Sequence, residues 1–297
     1  MKERLIFVLA FFLITNTLVA QTYTFKVLVS KGKTEVKTSN NWQAIKVGAS
    51  LKPSDEVKLG ENAYLGLIHV SGKPLEVREA KTYKVSELTS KVAPGTSVIN
   101  KYTDFILSSE QQKKNRLSAT GAVHRGPVVP KDVILAFLPE SDLSKVYGDQ
   151  VLVAWSTENV KGPYQVIFSN LMEEDFLRVD ATEPFITISL SDEKFKREQQ
   201  VMVRVVAKDK PGSGSKNYII KRLQKDERAK IDSLIAQLDP SMDRNSALTQ
   251  YLLAGFYEEN LLLVDALTAY REAYVKAPDV ELYKAAYEEF LKRMEFK

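Results

Sequence analysis

The residue types that do chemistry are sparse in this sequence, and their spacing serves catalysis poorly. There are two histidines, His69 and His124, and they fall in different regions. Neither belongs to an HExxH pattern, which would set two imidazoles on one helical face to ligate zinc. Acidic residues cluster at Glu173-Glu174-Asp175 and at Glu258-Glu259. A carboxylate pair cleaves a glycosidic bond only when the two groups are held across a cleft, so neighbours on one loop or helix read as solvated surface. No GxSxG elbow is present, although a Ser-His-Asp arrangement is spatial and stays open. The chain has no cysteine, which removes thiol catalysis, disulfides and thiolate metal sites. Residues 52–60, KPSDEVKLG, lack the glycine spacing before a helix that aims backbone N–H groups at a phosphate. Asp55 and Glu56 are two carboxylates without further oxygen ligands nearby, short of a calcium site, and read as a turn-capping Asp beside a solvated Glu. The expectation is a non-enzyme with no metal and no cofactor.

Composition is that of an ordinary folded protein: 44% hydrophobic and 27% charged residues in 297, enough for two or three domains. The net charge is +4 with the two signs interspersed, so no basic block points to nucleic acid. The first 20 residues place Lys2 and Arg4 before an apolar run from Leu5 to Ile14, then a more polar stretch ending at Ala20. This is the layout of a secretory signal peptide, with cleavage expected after Ala20 and an uncleaved anchor as the alternative. The apolar run is about half the roughly 20 residues that span a bilayer. Without cysteine the chain cannot be a lipoprotein, and its exported part must be held by its cores alone. The expected location is the periplasm or outside the cell. Gln21 directly after the signal resembles exported proteins of Gram-negative bacteria such as the Bacteroidetes.

Between residues 21 and 90, short β-branched and aromatic runs end at Gly, Pro, Asn or Ser, with a Lys31-Gly32 turn between the first two. Such spacing leaves no room for crossover helices and predicts a compact β-domain. Ile99, Tyr102, Phe105 and Ile106 then fall at helical spacing, with Thr96 or Ser97 as cap. Residues 111–131 lose all periodicity and read as a linker. Seven candidate strands follow in 132–223: DVILAFLP, QVLVAWS, YQVIFSN, FLRVD, FITISL, QVMVRVVAKD and NYIIKRL. Residues 209–217 form a hairpin tip between the last two, and Trp155 is expected in the space between two sheets. After Leu223 the period changes to 3.6. Ile231, Leu234, Ile235 and Leu238 mark one helical face, and three more amphipathic segments follow, broken at Asn260 and Pro278, with Asp279 as a candidate cap of the last.

These readings carry three resemblances. Residues 25–88 resemble the FecR-like domain, a β-rich envelope module, on Val27, Gly32, Val36, Trp42, Gly48, Leu51, Asp55, Val57 and Leu59, followed by AYLGLIHVSGK. Ser71-Gly72 stands where that family usually has an acidic-Gly turn. The seven strands of 132–223 resemble an immunoglobulin or fibronectin sandwich in architecture, without a signature cysteine pair. Residues 247–280 resemble a tetratricopeptide repeat, with Leu253-Ala254, Tyr257, Ala266, Tyr270, Ala273 and Pro278 in the repeat's positions and Gln250 where a large aromatic is usual. The fold class expected is therefore multidomain β plus α: signal peptide 1–20, FecR-like β-domain with a short trailing helix 21–110, linker 111–131, Ig-like sandwich 132–223, and TPR-like helical domain 224–297.

In the repeat family the first helix lines a concave groove. Carried over, the resemblance implies that Leu248, Tyr251, Gly255, Glu258 and Glu259 face a partner, and the two glutamates favour a basic peptide or protein. The opposing reading is that one repeat only caps the fold. The function expected is a non-catalytic periplasmic adaptor or scaffold binding envelope proteins through its helical end. The alternatives are a FecR-like envelope signalling regulator, and a glycan- or peptidoglycan-binding protein that would show exposed aromatics on a face of the sandwich.

Overall fold

The computed structural model describes residues 23–38, 40–97, 99, 102–103, 106–107, 130–140, 143–210, 212–238 and 242–294. The expected signal peptide and most of the expected linker lie outside them. The described chain is β plus α, with β-sheets in its first two-thirds and four helices at its C-terminal end.

Eight short strands form the first body: β1 (Phe25–Lys31), β2 (Thr34–Thr38), β3 (Asn41–Ala44), β4 (Ser50–Leu51), β5 (Glu56–Leu59), β6 (Tyr64–His69), β7 (Pro74–Val77) and β8 (Thr82–Lys84). They make two antiparallel sheets, ordered β4-β1-β6-β7 and β3-β2-β5-β8. The turn expected at Gly32 is present, with the glycine at φ 74°, a left-handed backbone that a side chain would strain. Phe25, Val27, Leu65, Leu67, Val57 and Tyr83 fill the space between the sheets. The run TYKVSEL, which reads as one strand from the sequence, is a strand only to Lys84; a short helix, α1 (Val85–Thr89), follows β8. Its Val85 and Leu88 close this core.

The first sheet is apolar on both faces. Along β6, Leu65 and Leu67 point into the sandwich, whereas Tyr64 and Ile68 belong to a different core on the far side. A register shift between Val27 and Val29 in β1 sends Leu28 and Val29 to that same outer core. Such a two-faced sheet cannot stand free in water. Ile99, Tyr102, Ile106 and Leu107 also belong to this outer core, and the helical Thr103 Oγ1 donates to Ile99 O at 3.2 Å, as the spacing predicted. Of the two candidate caps, Ser97 accepts from Ile99 N at 3.2 Å. Phe105 lies outside the described residues.

The second body has β9 (Lys145–Val146), β10 (Gln150–Ala154), β11 (Tyr164–Ser169), β12 (Asp175–Ala181), β13 (Phe185–Ser189), β14 (Gln200–Ala207) and β15 (Tyr218–Arg222). A β12-β11-β14-β15-β9 sheet faces the β10-β13 pair. Six of the seven predicted runs are strands. The first, at 132–139, is not: it makes only isolated bridges at Val133 and Ala136, and the two-residue β9 pairs with β15 in its place. Trp155 is 2% exposed, in the core, and meets Tyr164 edge-to-face at 5.2 Å.

The helical end contains α2 (Lys225–Ala236), α3 (Ala247–Glu259), α4 (Leu263–Lys276) and α5 (Glu281–Met294). Gln224 and Glu227 form a capping box on α2, and Ser246 caps α3 by accepting from Thr249 N at 3.1 Å. Asp279, expected to cap the last helix, instead turns back to pair with Lys31 of β1 at 2.7 Å, which holds its carboxyl below the usual range. The helices join one continuous apolar cluster that includes Leu28 and Tyr64 of the first body and Leu152 of the second. The α3–α4 hairpin is therefore wedged between the two β-bodies. Burying both of its faces supplies what an isolated hairpin lacks.

Candidate functional site

Four of the five groove residues named from the sequence are engaged within the chain. Leu248 is 0% exposed, and its Cδ1 lies 3.3 Å from where a Cβ on Gly66 of β6 would stand. Glycine at 66 is what lets α3 lie this close to the sheet. Tyr251 is 2% exposed and packs edge-on against Tyr283 at 5.3 Å, with Tyr270 at 6.1 Å. Gly255 is buried. Glu258 accepts from the Tyr270 hydroxyl at 2.9 Å and pairs with Arg293 of α5. Only Glu259 is exposed. The first helix thus presents no open acidic groove. The outer face of the first sandwich occupies it, because that sheet has an apolar face of its own to cover.

Polar groups from different elements seal this contact. Glu76 of β7 accepts from Ser246 Oγ and from Leu248 N, both at 2.7 Å, putting a carboxylate at the positive end of α3. The Tyr64 and Tyr283 hydroxyls are 2.8 Å apart, and burial raises both above the ordinary phenol range. Arg78 lies over the Tyr64 ring at 4.6 Å.

On the other side of the hairpin, Asp265 in the first turn of α4 is 4% exposed. Its carboxylate accepts backbone N–H groups of Tyr147 at 2.9 Å and Gly148 at 2.7 Å, tying α4 to the β9–β10 turn. A side chain at residue 148 would place its Cβ 2.9 Å from Asp265 Oδ1. Burial pushes the Asp265 carboxyl up to about 6, against the opposing pull of the two N–H bonds. Thr268 of α4 accepts from Leu152 N at 3.0 Å. Beside these contacts a cleft of about 440 Å³ remains open between α3, α4 and the β10–β13 edge. Leu253 and Ala269 floor it, and Arg244, Gln250 and Tyr257 are among its polar walls. Sequence reasoning placed Tyr257 only as helix packing and passed over Asp265 and Arg244. The available signal was one acid, Asp265, within the apolar run LLLVDALTAY.

The other chemical candidates are separated and locally satisfied. His69 Nδ1 and Ser71 Oγ are 2.7 Å apart, the imidazole packs against Phe25, and burial lowers its pKa. His124 lies outside the described residues. Asp55 is buried and accepts from Lys52 N at 2.8 Å as a turn cap, and Glu56 pairs with Lys37 at 3.6 Å. Asp175 is held by Ser169, Arg178 and Arg204, which lower its pKa, and Glu174 accepts from Asn170. Among the described residues no group of three His, Cys, Asp or Glu side chains is placed to hold a metal, and no helix is long and apolar enough to cross a membrane. No family model and no curated protein matches the chain.

Proposed function

We propose that this chain is an exported, non-catalytic adaptor of the bacterial cell envelope, working as one rigid body. The observation that carries the reading is the α3–α4 hairpin clamped on both sides, by Glu76 on one, where the Tyr64–Tyr283 pair also ties β6 to α5, and by Asp265 and Thr268 on the other. Such a hairpin holds two β-bodies at a set separation and angle, which is what a scaffold needs and an independent repeat module does not supply. The FecR-like reading of the first body is supported by its turn at Gly32 and its strand pattern. The second body's β12-β11-β14-β15 sheet facing a β10-β13 pair supports the immunoglobulin-like reading. Ala254 and Ala266, both 0% exposed where α3 meets α4, support the tetratricopeptide-like reading.

Partners are then met on the outer surfaces and not in the groove first expected. The test is photo-crosslinking of the full-length protein in intact cells, with the crosslinker in turn at Trp42, Met172, Arg244 and Val275. Recovery of envelope proteins from at least one position, on a protein whose mature N-terminus is Gln21, is expected. A cytoplasmic protein, or one that crosslinks only to itself, would overturn the reading.

One observation favours glycan binding, on the first sandwich and not the second. Trp42 on β3 is 39% exposed with Lys37 and Lys58 each 5.9 Å from its ring. The broad sheet of the second body carries the polar residues Gln165, Arg178, Asp180 and Arg204 on its outer face. Sedimentation with purified cell wall, lost in Trp42→Ala, tests this reading.

A further inference from the structure

The cleft between the hairpin and the second β-body has an uneven balance of partners. Its acids are each occupied: Asp265 by two backbone N–H groups, Glu272 by Lys276 at 3.5 Å, and Asp149 by Arg222 at 3.9 Å. Arg244, which also lines the cleft, has no ion pair among the described residues. Next to it stands Tyr257, 9% exposed, whose ring packs on Phe256 and Tyr147. The Tyr257 hydroxyl has no hydrogen-bond partner among the described residues, although the residue lines the cleft and lies close enough to Asp265 and to Arg244 to feel both charges. A phenol hydroxyl at the wall of a cleft, with no partner in the described chain, is free to donate to a ligand.

We propose that this cleft is a binding site for a carboxylate-bearing ligand, with the carboxylate held between the Arg244 guanidinium and the Tyr257 hydroxyl. A guanidinium and a phenol O–H are both donors, and a planar carboxylate has acceptor lone pairs for both. Asp265 makes no hydrogen bond to either donor: its two oxygens are turned to the N–H groups of Tyr147 and Gly148, although its charge is felt at Tyr257. The rest of the ligand lies along Gln150, Thr187 and Asn245, whose side chains make no hydrogen bond to another described residue and can donate or accept as an amide chain requires. The cleft is separate from the helix face that the first sandwich covers. Its volume of about 440 Å³ suits a ligand of a few residues, within the ordinary range for small-ligand sites.

The carboxylate can come from a free organic acid or from the end of a polypeptide. The proposal rests on the adaptor reading only in the second case. Four probes separate the sources: N-acetylalanine and acetyl-trialanine, each as free acid and as amide, titrated into the full chain and followed by NMR. The free acids are expected to shift the Tyr257 and Arg244 signals in the millimolar range, and the amides to bind about tenfold more weakly or not at all. Tyr257→Phe and Arg244→Gln should each weaken the acids by about tenfold while leaving the remaining spectrum in place. Tighter binding of the trialanine acid assigns a polypeptide end, and equal binding assigns a small acid. Equal response to acid and amide, no change in either variant, or shifts spread evenly over distant lysines such as Lys58 and Lys84 would overturn the site. Crosslinking in cells tests the adaptor reading independently, so the two can fail separately.

Discussion

Asp265→Asn is the perturbation with the most specific signature. In the folded protein this carboxyl is 4% exposed and titrates at about 6, against an ordinary value of 3.8. The folded state therefore holds the proton more tightly than the unfolded chain by about two pH units, worth about 3 kcal/mol at about 1.4 kcal/mol per unit. Because the folded value is raised, this contribution is fully present below the unfolded value. It is lost as pH climbs through about 6, where a charge must be held in a dry site. Surface carboxylates such as Asp175, Asp180 and Asp279 have lowered values and slope the other way at lower pH, so wild-type stability alone would mix the two trends. Subtracting the variant removes them. Urea unfolding of both proteins at several pH values between 4 and 7 should show the wild-type advantage over Asp265→Asn shrinking by up to about 3 kcal/mol across that interval. Asparagine also leaves one of the Tyr147 and Gly148 N–H groups facing an amide NH2, so the variant should be less stable by about 1–3 kcal/mol at pH 4. A difference that stays flat with pH would refute the reasoning. One that grows with pH would mean that the two N–H bonds outweigh burial and keep the group charged.

The remaining predictions concern the first sandwich and the helices packed on it. Gly66→Val should destabilise the whole protein by about 1–3 kcal/mol, because even its Cβ would lie 3.1 Å from Val29 Cβ and 3.3 Å from Leu248 Cδ1; thermal melts check it. Glu76→Ala should cost about 1–2 kcal/mol and speed hydrogen exchange at Leu248, whose N–H loses its acceptor, while exchange in β14 stays slow. Tyr64→Phe and Tyr283→Phe, combined in a double-mutant cycle of chemical unfolding, should show a coupling of about 1 kcal/mol, since the two hydroxyls bond each other. Trp42→Ala should leave stability within about 0.5 kcal/mol and remove the solvent-exposed part of the tryptophan emission, because Trp155 is buried.

Local patterns in the chain were sufficient for much of the architecture. Alternation of β-branched and polar residues marks most strands of both sandwiches, Gly32 marks the first turn, and the change of period after Leu223 marks the helices. These features depend on neighbours in sequence, so one chain is enough to read them. The strand expected at 132–139 failed because its apolar run reports burial, while pairing depends on a partner edge that β9 takes at β15. Asp279 looked like a cap because it precedes a helix, yet Lys31, far away in sequence, holds it.

The candidate site divides along the same line. A helix with Leu248, Tyr251 and Gly255 on one face announces that something must cover that face, whether a visitor or the chain itself. The clue to the answer stood in YLGLIH, where consecutive apolar residues leave a sheet with two faces to bury and a glycine for close approach. Alternation alone could not say which helix would settle there. Likewise, that Asp265 would meet the turn at Tyr147 and Gly148, and that Arg244 and Tyr257 would share a cleft, were decided only by tertiary packing. Sequence patterns specify which surfaces need a neighbour, but the identity of the neighbour follows from how complementary faces fit across long separations, and that fit exists only in the folded chain.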